Sequence, residues 1–586
     1  MSMFINNTKI KGEMDNEGSV SKAFAKMAHI IEENDGTRSF EWITDTCHDQ
    51  QAPFQYNQET RIALTSSQHL ISDFSKGFLT VHFTAGFKLQ GLTAGNFTDS
   101  NHLIKLFVGW KSSNQAVRQM QIWVNGHSIG YNQQEMIREG FAYSSCMSKQ
   151  EKATKRFIHS LYENVSKYAK SICGVYLNVD DLKSGELLEA SWDANIPFDN
   201  FLVLQAFDLF PNFAIPNVEL RLYFDPSGLV WCPVDPYAVY DSKVLIEGKN
   251  IGAHLPANIN FKRGFTQIGN SAMCPSSFRI TAEDETTINS ALQAVEGYAN
   301  MTEAERQAWK INYMTTHDIK FSVASSELTL YCQTMRITEF SSHMAGFGIC
   351  EQSLKEIAEI LAGGIVIPSQ ILFYDGFPDA PNARGIQTNL RATLSNVTSL
   401  SIAFPKHPND LTVFENPCYQ NLQLRINNKN YPDKVLSTVG AEFLQMQLIA
   451  SDLDGSIECT QEFEDSFTQD RNASDGTRYT NTLSDCSSFL WNVQLERNGG
   501  GYFFDGYESH GQNISVELVG NPVYTGANDT YYNVDAAGLI HPPACQMWSC
   551  KDTYIILSNG DMKFRINGEP DLISTQRDPR QIPPSN

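Results

Sequence analysis

From about Phe40 onward apolar and polar residues alternate with a period of two, the pattern of half-buried β-strands. Leu79, Val81 and Phe83 alternate with Thr80, His82 and Thr84, and Leu103–Val108 and Met120–Val124 come next as short strands rich in β-branched and aromatic residues. Phe201–Leu204 and Val218–Phe224 also read as strands. The second of these runs through Asp225-Pro226-Ser227-Gly228 into Leu229-Val230-Trp231, a hairpin pattern. The second half repeats the style at Ile319–Val323, Leu328–Tyr331, Leu400–Phe404, Leu422–Ile426 and Ile514–Leu518. Tyr554–Leu557 and Met562–Ile566, joined by a Gly-containing turn, predict a second hairpin.

Helical spacing interrupts this pattern in four places. Ser19 caps a predicted short helix with an apolar stripe of Phe24, Met27, Ile30 and Ile31. Phe157, Leu161, Val165 and Tyr168 predict a helix over 149–170. The zone 283–310 carries Ala291, Leu292, Val295 and Tyr298, then the capping-box pattern Thr302-Glu303-Ala304-Glu305. A last helix is predicted over 353–361. These readings divide the chain into an N-terminal arm (1–35), a first β domain (36–285), a helical linker (286–317), a second β domain (318–573) and a Pro-rich flexible tail (574–586).

The halves echo each other. At an offset of 302 residues, Gln121 falls on Gln423, Asn125 on Asn427 and Phe141 on Phe443, and the apolar positions between them match better than the identities do. Two copies of one β domain would give this, and so would the common look of any two antiparallel strands. Roughly 270 residues per copy suits an eight-stranded sandwich with long insertions.

Composition narrows the function classes. The 586 residues are 41% hydrophobic and 11% aromatic, enough for a sizeable core in each half. Acidic residues outnumber basic ones 66 to 44, a formal charge of -22, which argues against a main role in binding polyphosphate. Twelve cysteines (47, 146, 173, 232, 274, 332, 350, 418, 459, 486, 545 and 550) form no C-x-x-C pair and read as reduced, buried thiols. A few disulfides are the alternative, with Cys545 and Cys550 nearest in sequence. No signal-peptide pattern opens the chain, and no window approaches a membrane span. Sequons at Asn96, Asn396 and Asn513 read as chance in an Asn-rich chain.

Candidate chemistry is sparse. Gly126-His127-Ser128-Ile129-Gly130 fits the G-x-S-x-G elbow, but no apolar-periodic helix comes after it, so Ser128 is expected in a β-turn rather than as a nucleophile. Asp452-Leu453-Asp454-Gly455, with Glu458, Glu462, Glu464 and Asp465, puts Gly fourth where a Ca²⁺ loop needs it sixth, so a solvated acidic loop is expected. Lys149, Lys152, Lys155 and Arg156 would form a basic helix face, read as solvated or inter-subunit. Zinc, P-loop and dinucleotide motifs are absent from the sequence, and no catalytic, cofactor-binding or metal residue is assigned.

Some stretches carry a family likeness. Phe107-Val108-Gly109-Trp110-Lys111-Ser112, the strand to Asn125-Gly126, Ser148–Lys152 and above all Leu422–Lys434 resemble the double jelly-roll major capsid proteins, in particular the Polinton (Maverick) and virophage-related lineage. The likeness spans roughly 40–573. It implies a mainly β fold of two tandem eight-stranded antiparallel jelly rolls with a few inserted helices. It also implies a non-enzymatic homotrimer with a pseudo-hexameric outline that tiles an icosahedral viral shell. The expected partners are neighbouring capsomers and minor penton or cement proteins, without specific nucleic-acid binding, a membrane span or any cofactor. The expected location is the virion capsid, after synthesis in the host cytoplasm or nucleus. The alternative is a carbohydrate-binding or carbohydrate-processing β-sandwich, which needs paired carboxylates in a groove or an exposed aromatic platform. Trp42, Trp110, Trp123, Trp231 and Trp491 are the candidates for such a platform.

Overall fold

A computed structural model describes, with short internal gaps, residues 37–45, 59–64, 71–91, 105–134, 173–232, 245–250, 265–348, 351–405, 417–443, 490–495, 506–523 and 541–566. The first sandwich uses β1 (Thr37–Asp45), β2 (Glu59–Ala63), β3 (Ile71–Gln90), β5 (Val117–Val124), β6 (His127–Gln134), β8 (Leu188–Pro197), β9 (Val218–Phe224) and β15 (Ser322–Gly348). One sheet is ordered β1-β15-β3-β8 and the other β2-β9-β5-β6, with all pairs antiparallel. Counted along the chain, these are the first, eighth, third and sixth strands against the second, seventh, fourth and fifth. That is the wound order of a jelly roll.

The second sandwich repeats it with β16 (Ile365–Gly376), β17 (Ile386–Ala392), β18 (Val397–Ala403), β19 (Leu422–Ile426), β20 (Lys429–Leu436), β21 (Leu490–Gln494), β22 (Ile514–Gly520) and β23 (Gln546–Ser558). Its sheets are β16-β23-β18-β21 and β17-β22-β19-β20, again first-eighth-third-sixth against second-seventh-fourth-fifth. The fold is therefore mainly β, two jelly rolls in tandem.

The 302-residue echo lands on equivalent strands. β5 and β19 are both fourth strands, and each pairs with the fifth and seventh strands of its sandwich. Val124 pairs with His127 and Trp123 with Ser128, and at the same offset Ile426 pairs with Lys429 and Arg425 with Asn430. The connecting turns share a backbone shape: Asn125 and Gly126 have φ of 51° and 80°, Asn427 and Asn428 of 49° and 64°. Two successive residues at positive φ make a tight hairpin turn whose twist suits the flanking strands, and Asn and Gly tolerate it best. The offset also maps β6 onto β20 end to end and the first residue of β8 onto that of β21. Phe443 is buried in the second core, while Phe141 lies outside the described residues.

Three expectations are corrected. Val218–Phe224 and Leu229–Trp231 do not pair with each other: β9 lies between β2 and β5, whereas β10 (Val230–Cys232) pairs with β4 (Lys105–Gly109) and β13 (Thr266–Gln267). A turn signature marks where a chain reverses and does not choose the neighbour it reaches.

Phe201–Leu204 is not a strand either. Phe201, Leu204 and Phe207 each donate a backbone N–H to the carbonyl three residues back, and Phe198, Phe201, Leu204, Phe207 and Phe210 are all buried. Here an apolar run with a period of three serves consecutive turns; a short run does not by itself distinguish these from a strand.

The helices over 282–316 do not link the sandwiches. α2 (Ala282–Gln293) and α3 (Glu303–Thr316) form an excursion between β14 (Ser271–Arg279) and β15, and those two strands pair with each other. Of the two predicted strands at 319–331, residues from Ser322 onward belong to the single strand β15, which closes the first jelly roll between β1 and β3. The chain crosses to the second sandwich through α4 (Glu351–Ala362), as the predicted helix at 353–361 now reads. α1 (Ser113–Ala116) is one capped turn. The predicted arm, the helix over 149–170, the acidic loop at 452–465 and the tail lie outside the described residues.

Candidate assembly surfaces

Strand register gives each sandwich two unlike poles. Thr37 pairs with Gly348 and Ile71 with Phe347, so the chain enters and leaves the first sandwich at one pole. The connections that return there are 64–70, the two-residue turn 125–126 and 198–217, matched in the second sandwich by 393–396, 427–428 and 495–513. The opposite pole carries the long connections 91–116, 135–187 and 225–321, matched by 404–421, 437–489 and 521–545. In the first sandwich those connections build a sheet of their own, β13-β10-β4-β7, with β7 at Gly174–Asn178, and a small ladder of β11 (Leu245–Ile246) with β12 (Lys249–Asn250). In the larger of these sheets the strands approach so closely that a Cβ on Gly109 would sit 2.4 Å from the Gly174 Cα, which excludes any side chain there.

At this pole α2 and α3 hold their own shape. Thr281 caps α2, and Thr302 and Glu305 complete the capping box predicted for α3. Trp309 stacks on Tyr313 at 5.0 Å and Tyr313 on His317 at 3.9 Å, while the Arg306 guanidinium lies 4.6 Å from the Tyr298 ring. Only Ile288 and Leu292 of α2 and Met314 of α3 are buried.

The core of the first sandwich extends onto elements of the second. Ile357 and Leu361 of α4, Ile367 and Ile371 of β16, Ile555 and Leu557 of β23 and Met562 of β24 (Asp561–Ile566) cluster with the first sandwich, and Ile129 of β6 packs against this group. β6 is the edge strand of its sheet, and β16 and β24 lie against it. At ~1.5–3 kcal/mol per buried aliphatic side chain, these seven residues contribute on the order of 10–20 kcal/mol gross to the join, before the entropy of ordering them.

The outer face of the β2-β9-β5-β6 sheet carries a charged cluster that sequence reading missed. Arg221 lies with its guanidinium 3.4 Å from the Trp123 ring centre, pairs with Glu219 at 3.1 Å and Glu59 at 3.4 Å, and is 8% exposed. Tyr223 donates its hydroxyl hydrogen to Glu59 at 2.8 Å. Burial raises the Glu59 pKa, but the hydrogen bonds from Tyr223 and Arg61 and the charge of Arg221 outweigh it, so the carboxyl sits below its ordinary value. Residues 59, 219, 221 and 223 carry the signal in the sequence as alternating charges on two strands, but only the pairing of β2 with β9 brings them together.

Ser128 is the second residue of β6, exposed, opposite Trp123. The turn expected at Ser128 sits at 125–126 instead, and a strand stands where a nucleophile elbow requires a helix. Trp110, Trp231 and Trp491 are fully buried, so they form no ligand platform, and Trp123 is covered on one face by Arg221. Seven cysteines are described, all as free thiols. Burial pushes the Cys332 thiol up to about 11 and raises Cys274 and Cys545 further, which suits inert core thiols. Among the described residues no group of three or more His, Cys, Asp or Glu is placed to hold a metal, and no helix is long and apolar enough to cross a membrane.

No protein-family profile and no curated protein matches the sequence. Similar solved structures include a chain of the Sputnik virophage, with 10% identity over 92% of this chain and 90% of that one and a TM-score of 0.45. The mavirus major capsid protein is 8% identical over 90% of each chain, with a TM-score of 0.42. The Faustovirus major capsid protein is 8% identical over 90% of this chain and 91% of that one, with a TM-score of 0.40.

Proposed function

We propose that this chain is a major capsid protein of the Polinton and virophage-related kind. It assembles as a homotrimer with a pseudo-hexameric outline and tiles an icosahedral shell in the virion. The observation that carries the reading is the pairing of two complete jelly rolls, the core of the first extending onto the second, with the longest connections of each sandwich at a single pole. Such a body has a plain pole and an elaborated one, as a wall element with an inside and an outside requires. Its strands stand across the wall and its sheets face the neighbours. The role is mechanical and calls for no catalytic residue, cofactor or membrane span. A net charge of -22 repels nucleic acid, so packaging is assigned to other components. Neighbouring capsomers and minor penton or cement proteins are the partners, and synthesis in the host cytoplasm or nucleus precedes assembly. Light scattering and negative-stain microscopy of the purified full-length chain test this. Trimers with six-lobed outlines, or shells, are the expected result. A stable monomer at micromolar concentration that forms nothing larger under assembly conditions would overturn it.

A further inference from the structure

The helical hairpin of α2 and α3 is built unlike the sandwich that carries it. β3 ends opposite Thr329, and from there to Ser322 β15 pairs with β14, so a strand ribbon leads from the sandwich to the hairpin. Where the ribbon meets the body, Leu89, Leu328 and Leu330 are fully buried. The two helices bury only Ile288, Leu292 and Met314. Ala291, Trp309 and Tyr313 are half-buried, and Ile311 is exposed. Helices in proteins draw most of their stability from the apolar face they bury, and this face is small. The hydroxyls of Thr286, Thr287 and Ser290 donate to the carbonyls of Ala282, Glu283 and Thr286, and those of Thr315 and Thr316 to Ile311 and Asn312. Such bonds to the carbonyl four residues back weaken a helix slightly. The contacts that shape the hairpin have both partners inside it: the Thr302–Glu305 capping box, Arg306 on Tyr298, and the stack of Trp309, Tyr313 and His317.

From this contrast we infer that residues 281–318 open and close as a unit of their own while the jelly roll beneath them stays folded. Regions with few buried apolar contacts open at lower free energy than the core. Arg279 and Ser322 remain opposite each other, so opening frees a loop and undoes no strand of the sandwich. The two helices share one small core, so neither keeps its buried face when the other leaves. Opening has a chemical consequence. A protease needs a stretch of extended chain, which the closed hairpin denies it. Glu296 and Gly297 lie exposed between the helices, with open space around Gly297. Within the hairpin, the Glu296–Gly297 bond is therefore the one a glutamyl endopeptidase cuts first, through the open state. The cut chain holds together, because β15 on one fragment is paired along its length with β1, β3 and β14 on the other.

Native hydrogen exchange of the full-length protein, read by mass spectrometry and corrected for intrinsic rates, tests this. Amides of 282–316 are expected to exchange together and well ahead of those of 329–347. Exchange of both regions at one rate overturns the inference. The variant Leu292→Ala removes one of the three buried side chains. It should speed exchange in both helices by roughly 10- to 100-fold and leave 329–347 unchanged. Acceleration of α2 alone, of neither helix, or of 329–347 to the same degree overturns the single unit. Digestion with glutamyl endopeptidase under native conditions gives a second readout. Fragments ending at Glu296 that still elute together at the size of the uncut protein support the inference. A hairpin that resists the enzyme until the sandwich melts counts against it.

Discussion

Met547 and Ile555 lie on the same face of β23, eight residues apart, yet Met547 packs in the core of the second sandwich and Ile555 in that of the first. The pairing of β16 with β23 runs from Ile365–Leu557 to Gly376–Gln546 without a break, so the strand itself spans the join. One continuous strand pair thus ties the two sandwiches mechanically.

The join should unfold as one unit with both sandwiches. Calorimetry of the parent chain is expected to show no separate transition for the second sandwich. Ile555→Asp places a charge in the shared cluster and should split the transition in two, whereas Ile555→Ala should cost about 2–5 kcal/mol as a core cavity. A single, unshifted transition in the Asp variant would refute the shared core.

Arg221 is the next test. Arg221→Met keeps its volume over Trp123 but leaves Glu59 and Glu219 without their common cation. Because the guanidinium is buried and the carboxylates are partly wet, the expected loss is about 2–4 kcal/mol, toward the lower end for breaking a buried pair. Denaturant melts measure it. A companion Glu59→Gln should recover part of the loss if charge is the cause.

His343 makes stability depend on pH. Its ring stacks on Phe78 at 4.5 Å, and its Nε2 lies 3.1 Å from the Thr80 hydroxyl. Burial lowers its pKa below 6.5, and the nearby Glu339 offsets this only in part. The unfolded chain therefore takes up the proton first. The contribution is complete above about pH 6.5 and is lost as the pH falls from there through the lower folded value. Melts of His343→Gln from pH 7 to 5 should show a shallower decline than the parent; an identical decline would remove His343 as a cause.

Ser128→Ala should leave folding and oligomeric state unchanged, and a fluorophosphonate probe should not label Ser128. Both outcomes come from its place on an exposed strand without the strand-to-helix turn that activates a serine. Peptide mapping of the probe-treated protein decides it.

Much of this architecture was legible because strand alternation and turn chemistry are local. The pattern Gln-x-x-x-Asn at 121–125 and again at 423–427 marks two equivalent strands and their positive-φ turns, since that turn accepts few residues other than Asn and Gly. What failed was topological. Nothing local in Ser322–Gly348 says that it pairs with β1 and β3, 239 to 311 residues away in sequence, rather than with strands of the second half. The charged cluster was hidden for the same reason: Glu59 and Arg221 are adjacent only because the second and seventh strands of a jelly roll are neighbours.

The excursion that carries α2 and α3 has an evolutionary consequence. Its two ends, Arg279 and Ser322, are pinned opposite each other in one strand pair. Whatever lies between them can lengthen, shrink or be exchanged without altering the winding of the sandwich, provided the replacement closes on the same short gap. The helical hairpin caps and stacks itself, so it asks little of the body beneath it. Lineages carrying this chain are therefore free to diversify at that hairpin, while the two Asn-bearing turns at the opposite pole hold to a narrow choice of residues.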